Sequence, residues 1–559
     1  MSISLIGWGR FFGPAGERIT VPAPSTDHGK PWLWDLLAGE AHTLASVGFD
    51  RIQLPPASKA QGGAGSGCDG YGIFCSRDLG SLDQQGSIPT RYGTAESLRR
   101  LVAVAHSNGL AIDLDLVMHQ LIGGNAGVYL YKAADGSMNG RGPMHPGCFR
   151  SQKVRDQVPV PADDIPFGDE KLYERCDPSG YTTTDALDYG DWVFRTTGAD
   201  GARFDDTKGM WPQFVSRFMS HGSMANKSFY SEYFDGNPAN LNWWATSDPM
   251  NGRSGVEDFS IHFAIQAACN NLNARPLNGA GYSSWRPDLA YGFVDNPDTD
   301  TSPGQQVVTS KLLGYAFQLS IPCRQVLVYG KDYFSSDVWP GAYGLKPWID
   351  NLVYINHTFA FGSMTTRWLD DHVIVLERNG DGGATGSSPG LLTCLNFDTW
   401  NKRPITCATS FGPNAHLHDY TGHHPDIWTD ANGNASFTIL ANAYASGQSY
   451  LCFSRAGADK PVVIHPRHTT QVFFGAPDLD IPAAAPTQQT LVGRIYATKN
   501  SQVHFAATGS VQPLLLNGTH VVPQNQVKQT GWHTIAVTTK ESALQSYELS
   551  VTYEAPTKL

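Results

Sequence analysis

Over roughly its first 355 residues the chain alternates short apolar runs with amphipathic stretches, which leaves few architectures open. SLIG near the N-terminus, FDRIQLP (49–55), AIDLDLVMH (111–119), DGARFD (200–205), KSFYSEY (227–233), LAYGFVDN (289–296) and CRQVLVY (323–329) are strand-like. Between them, SLRRLVAVAHSNG (97–109) and DALDYGDWVFRTTG (185–198) carry apolar residues at helical spacing and stop at glycine. Strand then helix, repeated, implies a parallel sheet with helical crossovers. About eight strands fit this length, so the expected fold class is α/β, a (β/α)8 barrel.

Residues 120–181 interrupt the pattern. They are rich in Gly, Pro and Asp and lack helical periodicity, as in a functional loop or small subdomain. The expected barrel therefore occupies 1–119 and 182–365, with an inserted subdomain after the third strand. From about 366 the pattern changes to short strands separated by turns, among them DHVIVLERNG, GLLTCLNF and QSYLCFS, predicting an antiparallel β-domain over 366–455. A Pro/Ala-rich join and a further all-β stretch over 456–559 predict a C-terminal β-sandwich, a candidate carbohydrate-binding unit with Trp532 as its only tryptophan.

The net charge of −11 argues against nucleic acid as a partner. No apolar run approaches the roughly 20 residues that span a bilayer. The first residues, MSISLIGWGRFFGP, have neither the basic start nor the long apolar run of a signal peptide. Low charge and several Asn-x-Ser/Thr sites still favour an extracellular location over a cytoplasmic one. Nine cysteines make an odd number; Cys68 with Cys75 and Cys394 with Cys407 could each bridge.

Active sites of such barrels lie at the carboxyl ends of the strands. Four strand-like runs stop at acidic or polar residues. GARFDD places Arg203 and Asp205 at i and i+2, on one face of a strand. A carboxylate beside a fixed guanidinium is expected to stay ionised, as a glycosyl-accepting nucleophile must. SFYSEYFDG ends at Glu232 between aromatic neighbours, which would raise its pKa as a general acid requires. YGFVDNPDTD ends at Asp295, Asn296, Asp298 and Asp300, and DLDLVMHQ ends at Asp115, His119 and Gln120.

In this order the four runs resemble the ordered motifs of the α-amylase superfamily, glycoside hydrolase family 13, as DLVMHQ, GARFD, SEYFDG and FVDNPD. DGYGIF, IPTRYGT and SLRRLVAVAHSNGL upstream are also similar to that family, and the resemblance covers about residues 3–455. It implies that Asp205 is the nucleophile, Glu232 the acid and then the base, and Asp298 the third carboxylate, gripping sugar hydroxyls. Arg203 would orient Asp205, Tyr71 would stack under the sugar, and Lys208 would contact the leaving-group side. Asn296, His119 and Gln120 complete the implied substrate-binding set.

The chain departs from the family at its histidines. His119-Gln120 stands where the motif has Asn-His, Pro297 replaces a second histidine and Gly209 a third. The missing asparagine normally binds calcium, so no cofactor is expected to be required and a structural calcium is doubtful. The implied activity is retaining hydrolysis of α-1,4-glucosidic bonds in starch-type glucans or malto-oligosaccharides by a monomer. The alternatives are an α-glucan transglycosylase of the same fold and a non-catalytic carbohydrate-binding homologue.

Overall fold

The computed structural model describes residues 1–12, 18–21, 32–65, 67–151, 166, 168–335, 341–380 and 390–458. Beyond these it describes 468–475, 490–497, 499–500, 502–508, 511–520, 524–529, 531–539 and 547–554. Side chains of several further residues, among them Trp532, lie outside the described set.

Eight parallel strands close into a barrel: β1 (Ser2–Ile6), β2 (Arg51–Gln53), β3 (Ala111–Leu116), β4 (Gly201–Phe204), β5 (Ser228–Ser231), β6 (Gly255–Glu257), β7 (Ala290–Phe293) and β8 (Gln325–Tyr329). Each strand is followed by a helix: α1 (Leu33–Val47), α2 (Ala95–Ser107), α3 (Tyr181–Thr197), α4 (Pro212–Met219), α5 (Pro238–Thr246), α6 (Phe259–Asn271), α7 (Lys311–Gln318) and α8 (Lys346–Phe359). The helices bury leucine, isoleucine, phenylalanine and tryptophan faces on the outside of the barrel, in one continuous core. That burial is the main stabilising term, at roughly 25 cal/mol per Å² of apolar surface removed from water.

Seven strands fall where the apolar runs predict them; β6 does not. Its three residues, Gly-Val-Glu, contain a single apolar side chain. Gly255 is required there, because a Cβ would stand 2.2 Å from the ring of Tyr291 on β7.

The barrel interior is polar in two layers. In the lower one Arg51 on β2 donates through Nε to Asp113 Oδ2 at 2.7 Å. In the upper one Arg203 on β4 is in direct register with Asp115 on β3 and Tyr230 on β5. Side chains alternate along a strand, so Arg203 and Asp205 point the same way, into the barrel mouth.

The long segment after β3 forms a two-residue ladder, Gln120–Leu121 with Lys171–Leu172. Its small core joins Tyr129, Tyr131, Phe149 and Tyr173 to Ile73 and Phe74 of the loop after β2. The overhang on the barrel mouth is thus built from two loops. Past α8 come β9 (Met364–Leu369), β10 (Val373–Arg378), β11 (Leu391–Asn396), β12 (Arg403–Ala408), β13 (His416–Asp419), β14 (Ile427–Trp428), β15 (Asn434–Ile439) and β16 (Tyr450–Arg455). They form an antiparallel six-stranded sheet in the order β9-β10-β11-β16-β13-β14, faced by the pair β12-β15. Valine, leucine and phenylalanine side chains of these strands enclose a second core. Strands between His468 and Glu554 form two four-stranded antiparallel sheets.

No disulfide joins any of the cysteines among the described residues, which corrects both suggested bridges. Cys394 lies on β11 in the six-stranded sheet and Cys407 on β12 in the facing pair.

Candidate active site

One buried arginine organises the carboxyl ends of the strands. Arg203 is 4% exposed, and every nitrogen of its guanidinium meets a carboxyl group. Nη1 donates to Asp115 Oδ1 and Oδ2 at 3.0 and 2.9 Å and to Asp205 Oδ1 at 3.1 Å. Nη2 lies 2.8 Å from Glu232 Oε2. Nε donates to Glu257 Oε1 at 2.7 Å. Asp205 and Glu232, from β4 and β5, are therefore separated by no more than one guanidinium group and its two contacts.

Glu232 receives a second donor. Asp206 adopts a left-handed conformation, φ 44° and ψ 57°, which turns its backbone N–H onto Glu232 Oε2 at 2.9 Å. Both donors hold the same oxygen. Burial nevertheless pushes the Glu232 carboxyl up to about 8; Arg203 opposes the shift, and the charges of Asp298 and Glu257 add to it.

Asp205 behaves differently from expectation. Burial first, and the charge of Glu232 second, hold it well above the usual aspartate range. Arg203 opposes this only in part, because its single charge is shared among four carboxyls. Protons in such a cluster belong to the group as a whole.

Asp298 sits near enough for its charge to push up Glu232, Asp115 and Glu257. The turn carrying it is braced from both sides. Asn296 Oδ1 accepts from the N–H groups of Asp298 and Thr299 at 3.0 and 2.9 Å. Lys311 holds Asp295 at 2.7 Å, and Lys331 is paired with Asp300. The side-chain oxygen of Asn296 is thus committed to shaping the turn.

The remaining residues singled out from sequence gather around this centre. Tyr71 donates its hydroxyl to Asp115 Oδ2 at 2.8 Å, with its ring 5.3 Å from that of Trp8. Lys208 donates to the Phe234 carbonyl at 3.0 Å and lies 5.6 Å from the Tyr233 ring centre, on the β5 side. His119 binds Asp206 Oδ2 through Nδ1 at 2.8 Å. Among the described residues, His119 Nε2 and Gln120 Oε1 are buried without a hydrogen-bond partner.

Two contributors escaped the sequence reading. Glu257 ends the unrecognised strand β6, and its only sequence signal is a carboxylate one residue past a lone valine. Gln53, at the end of β2, donates to Asp115 at 3.3 Å.

The position implied for a calcium ligand does not suit one. His119 offers an imidazole already bound to Asp206. The adjacent Gly209 carbonyl accepts from Arg150 Nη2, whose Nε also donates to the Tyr173 carbonyl at 3.0 Å. Calcium takes six to eight oxygen ligands; here a guanidinium already occupies a carbonyl of this corner. Arg175 makes a similar link, donating to the Met118 carbonyl with its plane over the Tyr173 ring.

A closed parallel barrel whose mouth gathers carboxyl groups from the ends of four strands around one arginine defines a (β/α)8 protein with an acidic centre. No family model matches the chain. It is 24% identical over 495 residues to an α-amylase of Geobacillus stearothermophilus, covering 78% of this chain and 85% of that one. It is 23% identical over 473 residues to the cytoplasmic α-amylase of Escherichia coli strain K12, covering 72% and 93%. The crystal structure of an α-amylase from Geobacillus thermoleovorans complexed with acarbose superposes with a TM-score of 0.55 at 16% identity, covering 82% of this chain and 98% of that one. Over most of its length the chain is thus similar to enzymes of the α-amylase superfamily.

Proposed function

We propose that the protein is a retaining α-glycoside hydrolase that cleaves α-1,4-glucosidic bonds of starch-type glucans or malto-oligosaccharides. The observation that carries this reading is the binding of Asp205 and Glu232 to the two Nη atoms of Arg203. Two carboxyl groups held on one guanidinium flank a common point at the barrel mouth, as the nucleophile and the acid of a two-step displacement must.

In the first step Asp205 attacks the anomeric carbon while Glu232 passes its proton to the glycosidic oxygen, so that the bond breaks and the aglycone chain leaves. Arg203 and Asp206 N–H both grip Oε2 of Glu232, which leaves Oε1 to carry that proton. A carboxyl pushed up to about 8 still holds it at neutral pH. In the second step the ionised Glu232 takes a proton from water, whose oxygen displaces Asp205 and restores the α configuration. Asp298 grips hydroxyls of the distorted sugar, Tyr71 stacks beneath it, and His119 and Gln120 offer their buried polar atoms to it. Lys208 stands on the leaving-group side.

Several finer points belong to the same proposal. No metal is needed at the Gly209 corner, because Arg150 links the inserted segment to the end of β4. Among the described residues no helix is long and apolar enough to cross a membrane. We place the protein outside the cell on its low charge and its Asn-x-Ser/Thr sites, although one relative is named a cytoplasmic enzyme; activity in culture supernatant against lysate tests this. Size-exclusion chromatography tests the proposed monomer.

The central test follows the anomer first released from maltotetraose by NMR, with wild type, Asp205→Asn and Glu232→Gln. The α anomer is expected, with kcat reduced about 10²–10⁴-fold for loss of the acid–base group. Release of the β anomer, or full activity in either variant, would overturn the proposal.

A further inference from the structure

Glu257 is a buried acid that the two-step reaction does not call for. It is 3% exposed, and Oε1 takes the Nε proton of Arg203 at 2.7 Å. Its Oε2 makes no hydrogen bond among the described residues. Burying a carboxyl costs several kcal/mol unless it is well paired, and this one shares its only bound cation with three other acids. Its placement therefore calls for a role beyond packing.

Geometry supplies one. A guanidinium gripped on all three nitrogens is held more firmly in one plane than one gripped at its Nη atoms alone. Glu257 on β6 holds Nε, Asp115 on β3 holds Nη1 and Glu232 holds Nη2, and three points that are not in line define the plane. In that orientation Nη1 also reaches Asp205 and Nη2 reaches Glu232. Chemistry supplies a second. Each carboxyl on the guanidinium takes part of its charge, so Glu257 weakens the hold of Arg203 on ionised Glu232.

We propose that Glu257 is a positioning residue that orients Arg203 toward Asp205 and Glu232 and takes a share of the guanidinium charge they both bind. The inference rests on the retaining reading above. The charged and titratable groups around it are Arg203 from β4, Asp115 from β3, Tyr230 and Glu232 from β5, and Asp298 from the turn after β7. Asp205 and Asp206 face the Arg203–Glu232 side of the cluster. Burial of Glu232 and the charge of Glu257 act in the same direction, raising the proton affinity of Glu232.

Glu257→Gln keeps an oxygen acceptor for Nε but removes the charge; Glu257→Leu removes both. The pH dependence of kcat/KM on maltotetraose is measured for all three proteins, with melting temperature as a check on folding. The glutamine variant is expected to keep kcat within about fivefold at its own optimum while its alkaline limb moves to lower pH by about one unit. The leucine variant is expected to lose kcat by at least tenfold with KM nearly unchanged. A glutamine profile that overlies wild type overturns the charge role. Equal kcat in the glutamine and leucine variants overturns the positioning role, and a leucine variant that does not fold leaves the glutamine profile to decide. Wild type that leaves α-glucans uncut refutes the retaining reading itself, a result distinguishable from either of these.

Discussion

The imidazole of His119 rests against the α-carbon of Gly209: a methyl group added there would stand 2.4 Å from Nε2. Two departures from the family motifs are thereby coupled, since His119 fills space that any side chain at 209 would need. Gly209→Ala must displace the ring, pull Nδ1 from Asp206 and disturb the turn that points the Asp206 N–H at Glu232. Overpacking of this kind costs about 1–3 kcal/mol. Gly209→Ala is expected to lower both melting temperature and kcat, and His119→Ala in the same chain to recover much of the melting temperature. A double variant no more stable than Gly209→Ala alone would show that the clash is not the cause.

Arg150 joins the inserted segment to the end of β4 through the Tyr173 and Gly209 carbonyls, with its guanidinium 4.4 Å from the Trp211 ring centre. A hydrogen bond from a charged donor contributes about 1.5–3 kcal/mol. Arg150→Met is expected to lower the melting temperature and raise KM, while EDTA and added calcium leave wild type unchanged in both. A melting temperature that falls in EDTA and returns with calcium would reject the guanidinium link as a substitute for metal.

Much of this site was legible because strand ends are where chemistry gathers. Arg203, Asp205, Glu232 and Asp298 follow recognisable apolar runs, and period-two alternation alone puts Arg203 and Asp205 on one face. What escaped had physical reasons. Strand β6 is too short and too poor in apolar residues to show a period, so Glu257 went unnoticed with it. The expected lowering of the Asp205 pKa considered one arginine and one carboxylate. Only the fold shows four carboxyls on that cation, and burial then decides the direction. Nor does a linear motif reveal that Asn296 Oδ1 caps the turn beneath Asp298.

The protonation states required for turnover bound the pH profile. Asp205 must be ionised and Glu232 protonated. Glu232 lies near 8, and Asp205 is held above the ordinary aspartate range. The kcat/KM profile is expected to be bell-shaped, with its alkaline limb near pH 8 and its acid limb displaced upward from that of an unperturbed aspartate. Glu232→Gln retains no general acid to titrate, so its residual activity is expected to lack the alkaline limb. The same limb surviving in that variant would assign it to another group.

The same shift has a consequence for stability that does not depend on catalysis. Glu232 ionises near 4.5 in the unfolded chain and near 8 in the folded one. Between these values the folded state holds more protons, so stability falls as pH rises through that window and is unaffected by this group below it. The slope is at most about 1.4 kcal/mol per pH unit, and less where neighbouring acids share the proton. Glu232→Gln removes the titration. Its melting temperature is therefore expected to match wild type near pH 4 and to exceed it increasingly from pH 5 to 8. Melting curves recorded across that range check the sign directly. A difference that stays constant with pH would mean that Glu232 is not proton-holding in the fold, and the acid role would lose its physical basis.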